Sequence, residues 1–271
     1  MYLTQHLTTH GARWAVDGFY LPEGLTLGTL LQLPRESIED VLAATRTEIA
    51  AGDPLLPPVE HDQEVWAAGV TYMRSREARM AESDTADIYD KVYDAERAEV
   101  FFKAPGYRAR GHGQPIRVRR DSHWNVPEPE LSIVVNGARE VVGYTAGNDV
   151  SSRDIEGANP LYLPQAKVYD GSCALGAGIV IAGPDEQRDL AIRMSIARGG
   201  RLEFEGETST SQLKRTIEEL AECLTRELAF PRGVILMTGT CLVPPDAFTL
   251  TPGDVVRIEV GEVSLENAVG A

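Results

Sequence analysis

The sequence predicts an α+β protein that is mainly β, in two segments. Three observations carry this. Short apolar or alternating runs bounded by Gly, Pro, Asn and Asp recur along the chain, only two or three stretches have helical spacing, and a Pro-rich polar stretch lies near residue 60. The 271 residues are enough for a large domain and a small one, with a substantial buried core. The expected division is a small N-terminal α/β domain at 1–62 and a catalytic domain at 63–271.

The elements follow in order. ARWAVDGFYLPEG (12–24) reads as short strands or a hairpin. After Pro34 and Ser37, the apolar positions Ile38, Val41, Leu42 and Ile49 predict a helix that Gly52 ends. Residues 53–63 (DPLLPPVEHDQ) read as a linker. VWAAGVTY (65–72) is a short apolar run, and the charged stretch 73–99 reads as a long helix. EVFFKAPG (99–106) and QPIRVRRDS (114–122) read as strands. PEPELSIVV (127–135) and EVVGYTAGNDV (140–150) form a hairpin turning at Asn136-Gly137. Pro127 and Pro129 cannot donate to a ladder, which predicts an edge or rim position for the first of these strands. CALGAGIVIAG (173–183) and residues 190–208 add strands, the latter with a hairpin at Gly199-Gly200. Residues 209–230 give the clearest helix, with Leu213, Ile217, Leu220, Leu224 and Leu228 on one face, Ser209 or Ser211 as cap and Pro231 as stop. Residues 233–245 and 251–269 finish the chain as strands.

Composition narrows the function. A net charge of −15 excludes nucleic acid and an anionic membrane as partners, since both select basic patches. Three well-separated cysteines without CxxC spacing fit a reducing cytoplasm. The five histidines show no zinc-site spacing. Neither a signal peptide nor an apolar run of about 18 residues is read.

The chemistry concentrates in residues 121–167. Glu128 and Glu130 are two apart and share a strand face, and the next strand can bring Asp149 opposite them. Three crowded carboxylates repel unless a cation holds them, and an all-oxygen set suits Mg²⁺, Mn²⁺ or Ca²⁺. An E-x-E pair alone is a weak motif and is often solvated surface. Lys167 alone reads as a surface ammonium.

Taken together, GVTY, EVFFKAPG, DSHWNVPEPEL, GYTAGNDVSSRD, QAKVYDGSCALG, MTGT and GDVVRIEV resemble the fumarylacetoacetate hydrolase family over residues 65–267. The resemblance implies a rolled β-sheet catalytic domain, a homodimer or dimer of dimers, and a divalent ion, Mg²⁺ first, on Glu128, Glu130 and Asp149. It departs from the hydrolytic members at Ser75, where those carry the histidine of a water-activating dyad. TYMRSREAR, EVFFK and NPLYLPQAK resemble the subgroup that dehydrates 2-keto-3-deoxy-D-arabinonate or D-xylonate. In that subgroup the residues matching Glu99 and Lys167 do acid–base work, without the sequence saying which is acid and which base. Arg74, Ser75, Arg76 and Thr240 are candidate contacts for a 2-oxo sugar acid. Lys103 is a candidate partner of the carboxylates, Asp121 a candidate support, and Cys173 a small buried residue rather than a nucleophile. The other activities left open are hydrolysis, isomerisation or decarboxylation of acylpyruvates and 2,4-diketo acids, or metal and sugar-acid binding without turnover.

Overall fold

A computed structural model describes residues 1–72, 92 and 95–270. The N-terminal segment supplies β1 (Tyr2–Thr8), β2 (Gly11–Val16), β3 (Phe19–Tyr20), α1 (Leu27–Leu30), α2 (Arg35–Thr45) and β4 (Leu55–Leu56). Then come β5 (Glu64–Gly69), β6 (Glu99–Pro105), β7 (Asn125–Val126), β8 (Pro129–Val135), β9 (Val141–Asp149) and β10 (Ser151–Ser152). Two short helices follow, α3 (Arg153–Ala158) and α4 (Leu163–Lys167), then β11 (Cys173–Leu175), β12 (Ile179–Ile181), β13 (Ala191–Arg198) and β14 (Arg201–Ser209). The chain closes with α5 (Ile217–Thr225), β15 (Val234–Met237), β16 (Val255–Val260) and β17 (Val263–Ala268).

Among the described residues the main sheet has 11 strands in the order β3-β2-β1-β12-β9-β8-β15-β5-β6, with β11 also on β9 and β4 on β1. A four-stranded sheet, β14-β13-β16-β17, packs over β8 and β9. Leu131, Ile133 and Val135 of β8 point into the core shared with that second sheet, which includes Met194, Ile196 and Ile258. Val134 points the other way, into a core with Leu30, Ile38 and Leu42 of the N-terminal helices. Both faces of β8 are covered, which is why Ile133, Val134 and Val135 run on as apolar residues instead of alternating with polar ones. The strands of residues 1–62 continue the main sheet, since Leu3 of β1 pairs with Ile179 of β12.

Several local expectations are corrected. β8 is not an edge strand but lies between β9 and β15. Pro129 is tolerated because it is the first residue of the strand. The β8–β9 hairpin is present, but residues 136–140 form a larger loop in which Arg139 takes the positive φ (68°). Gly137 serves a close approach, its N–H donating to Leu31 O at 2.7 Å. Residues 114–122 hold no strand, only a bridge from Ile116 to Val269. α2 stops at Thr45, leaving Ile49 exposed. The long helix at 209–230 breaks into a 3₁₀ turn at Thr210–Gln212 and α5. Thr216, not Ser209 or Ser211, caps α5, in a reciprocal box with Glu219. The Gly199-Gly200 hairpin stands as expected, both glycines at positive φ. The long helix expected at 73–99 falls largely outside the described residues; Glu99 itself begins β6.

Candidate active site

The site forms where β8 begins and β9 ends. Glu128 and Glu130 flank Pro129 and share a face. Pro129 pairs with Asn148, and Asp149 N–H donates to Glu128 O at 3.0 Å, which draws Asp149 over the pair. Glu128, Glu130 and Asp149 then present oxygens all within 4.8 Å of one another. Among the described residues no other group of three acid, histidine or cysteine side chains is so placed. All three are buried.

Buried carboxylates this close require compensation. The chain beyond Asp149 supplies part of it. It passes through β10, α3 and α4 and returns Lys167 into the cluster, 1% exposed. Lys167 Nζ donates to Glu128 Oε2 (2.5 Å), Asp149 Oδ2 (2.9 Å) and Ser151 Oγ (2.6 Å). Arg153 Nη2 lies 2.8 Å from Glu128 Oε1. Lys103, reached from β6, pairs with Asp149 Oδ1 at 2.5 Å and also donates to the carbonyls of Val150 (3.2 Å) and Lys167 (2.5 Å). Glu130 accepts Gly239 N–H at 2.6 Å. Its carboxyl is pushed well above the usual range, first by burial, then by Asp149 and Glu128, against the opposing pull of Lys167 and Gly239. A divalent cation between the three oxygens would reverse that bias. The donors are hard carboxylate oxygens, with no sulfur or imidazole in the group, so the residues fit Mg²⁺.

Glu99, the first residue of β6, and Phe101 line the same pocket as the carboxylates and Lys167. They share a face two residues apart, and the Phe101 ring lies 5.8 Å from Lys167 Nζ. Thr240 also lines the pocket, its Oγ1 accepting Leu242 N–H at 3.3 Å. Arg74, Ser75 and Arg76 lie outside the described residues. Asp121 does not support the site; it is exposed and paired with Arg119 at 2.6 Å. Cys173 is buried and its thiol is pushed up to about 12 by burial, which leaves no thiolate to act.

Four contributors were not singled out in the sequence: Ser151, Arg153, Glu156 and Gly239. The first three follow Asp149 within a few residues, where the chain leaves the sheet in two short elements without periodicity. The SSRD run after an acidic strand end was the available signal. Glu156 is buried on the pocket wall. Gly239 lies in the MTGT run, in which only Thr240 is read as a contact; its φ of 93° aims its N–H at Glu130.

Residues 64–270 match the family model described as "Fumarylacetoacetate (FAA) hydrolase C-terminal". The chain is 49% identical over 209 residues to a protein of Haloferax volcanii named "Probable 2-keto-3-deoxyxylonate dehydratase", covering 76% of this chain and 72% of that one. It is 44% identical over 224 residues to the "2-dehydro-3-deoxy-D-arabinonate dehydratase" of Saccharolobus solfataricus, covering 80% and 72%. A solved structure described as "2-keto-3-deoxy-D-arabinonate dehydratase complexed with magnesium and 2,5-dioxopentanoate" superposes with a TM-score of 0.80 at 34% identity, covering 100% of this chain and 99% of that one.

Proposed function

This chain belongs to the fumarylacetoacetate hydrolase family, and from that premise we propose that it is a Mg²⁺-dependent hydro-lyase. It dehydrates a 2-keto-3-deoxy sugar acid, 2-keto-3-deoxy-D-arabinonate or D-xylonate, to 2,5-dioxopentanoate. The observation that carries this reading is the convergence of Glu99 and Lys167 on one pocket with the three carboxylates. The relatives named as dehydratases and the product-bound neighbour support it.

Glu128, Glu130 and Asp149 would hold a divalent ion, which would supply Lewis acidity to a bound 2-oxo acid and acidify its C3 protons. Lys167 and Glu99 divide the proton transfers. One takes a proton from C3, the freed electron pair forms the C3–C4 double bond, and the other protonates the C4 hydroxyl as its C–O bond breaks and water leaves. Tautomerisation through C5 then gives 2,5-dioxopentanoate. Burial of Lys167 against Phe101 keeps bulk water from the amine. Thr240, with Arg74, Ser75 and Arg76, holds the carboxylate and hydroxyls of the substrate, guanidinium suiting planar oxyanions.

The same reading includes a homodimer or dimer of dimers, a cytoplasmic setting in pentose oxidation, and residues 1–62 as a small unit joined to a 63–271 catalytic body. Three free cysteines are in keeping with a reducing compartment. No helix among the described residues is long and apolar enough to cross a membrane.

Purified protein with Mg²⁺ and 2-keto-3-deoxy-D-arabinonate is expected to release 2,5-dioxopentanoate, read as an aldehyde. Turnover of an acylpyruvate without aldehyde from the sugar acid rejects the dehydratase in favour of a hydrolase. Thermal stabilisation by Mg²⁺ and pyruvate with no turnover on any candidate identifies a binding protein instead.

A further inference from the structure

The geometry points to Gly69 as a positioning residue for Glu99, a role that rests on Glu99 doing proton work in the proposed reaction. Gly69 is the last residue of β5 and Glu99 the first of β6, and the two are directly paired. The Glu99 side chain folds over the bare Cα of Gly69. A Cβ built there would overlap Glu99 Oε2 and come within 2.7 Å of Glu99 Cδ. The carboxylate therefore occupies volume that every residue but glycine fills with its own side chain.

When the two groups compete for that volume, the backbone is not the one that yields. Ala67 is paired with Met237 of β15, and Ala68 with Val100 of β6. Immediately after Gly69, Val70 sits at φ 54°, a left-handed conformation that a β-branched residue adopts only when its surroundings impose it. Thr71 Oγ1 then donates to Thr238 O at 2.6 Å. Gly239 packs on the same hydroxyl, so that a Cβ on Gly239 would overlap Thr71 Oγ1. Glu99, by contrast, approaches with the far end of a flexible side chain. Alanine at position 69 thus displaces the Glu99 carboxylate and spares the strand. Gly69 and Val70 line the pocket beside Glu99, so this displacement happens within the site.

The test compares wild type, Gly69→Ala, Glu99→Ala and the double variant, each with Mg²⁺ and 2-keto-3-deoxy-D-arabinonate. Gly69→Ala is expected to melt within about 3 °C of wild type. Its Mg²⁺ affinity and substrate KM should be unchanged while kcat falls by about 100-fold, the cost of misplacing a catalytic group by about 1 Å. In the Glu99→Ala background the same change should cost nothing further, because both act through one carboxylate. Wild-type kcat in Gly69→Ala, a full further loss in the double variant, or a melting point lowered by more than about 5 °C overturns the proposal. A near-normal rate in Glu99→Ala removes Glu99 from the reaction, a separate failure. A crystal structure of Gly69→Ala decides the geometry independently of turnover. Glu99 turned out of the pocket with β5 in place is the expected result, and Glu99 unmoved contradicts it.

Discussion

Replacing Lys167 by alanine removes the ammonium that Glu128, Asp149 and Ser151 share, while the three carboxylates keep their strand positions. Lys167→Ala is therefore expected to bind Mg²⁺ by calorimetry yet lose turnover by about 10²–10⁴-fold, the usual contribution of a general acid or base. A variant with a near-normal rate would take Lys167 out of the mechanism. Glu128, Glu130 and Asp149 were legible at this scale because strand period and hairpin pairing are local rules. Lys167 was legible only through resemblance. An ammonium 18 residues from Asp149 joins it through two short helices whose path no periodicity encodes. Asp121 is near the motif in sequence but not in space, because Arg119 holds it at the surface.

At the scale of elements, Asp154 ties the loop before β7 to the start of α3. It accepts from Ser122 Oγ, His123 N–H, Ser152 Oγ and Ile155 N–H. Burial alone would raise its carboxyl, but these donors outweigh burial and hold it below the usual range. The native state thus binds this proton less readily than the unfolded chain, whose aspartates titrate near ~3.9. The contribution is complete above that value and is lost as pH falls through the lower native pKa. Urea midpoints measured between about pH 5 and 3 should fall more steeply for wild type than for Asp154→Asn; parallel curves would contradict the assignment. α5 offers a second test. Its cap is Thr216, so Thr216→Ala should cost about 1 kcal/mol in urea denaturation, and Ser211→Ala much less. Equal losses would return the cap to the expected place. The helix was legible from Ile217, Leu220 and Leu224, but Leu213 continues that spacing by coincidence: it forms a bridge with Tyr72. Periodicity alone does not separate a helical turn from a neighbouring extended residue that is also half-buried.

For the whole molecule, the β-rich class was readable from the number and punctuation of apolar runs, but the strand order was not. β15 enters between β8 and β5, parallel to the latter, across more than 160 residues of sequence. Such non-local pairing leaves no local trace. The same holds for residues 1–62, whose Leu3, Trp14, Leu30 and Leu42 share one core with Val65, Val134 and Ile235. Deleting 1–62 should expose that core and the β12 edge, and yield insoluble protein. A soluble 63–271 fragment that melts cooperatively and binds Mg²⁺ would contradict this.

The central claim is that three buried carboxylates hold a divalent ion on which a 2-oxo acid lies beside Lys167 and Glu99. The most direct measurement is a crystal structure of the protein soaked with Mg²⁺ and 2-oxobutyrate. The account predicts an ion bonded to Glu128, Glu130 and Asp149 and to the carboxylate and keto oxygens of the ligand, with C3 facing Lys167 and Glu99. An ion bound elsewhere, or a 2-oxo acid seated away from it, would contradict the account.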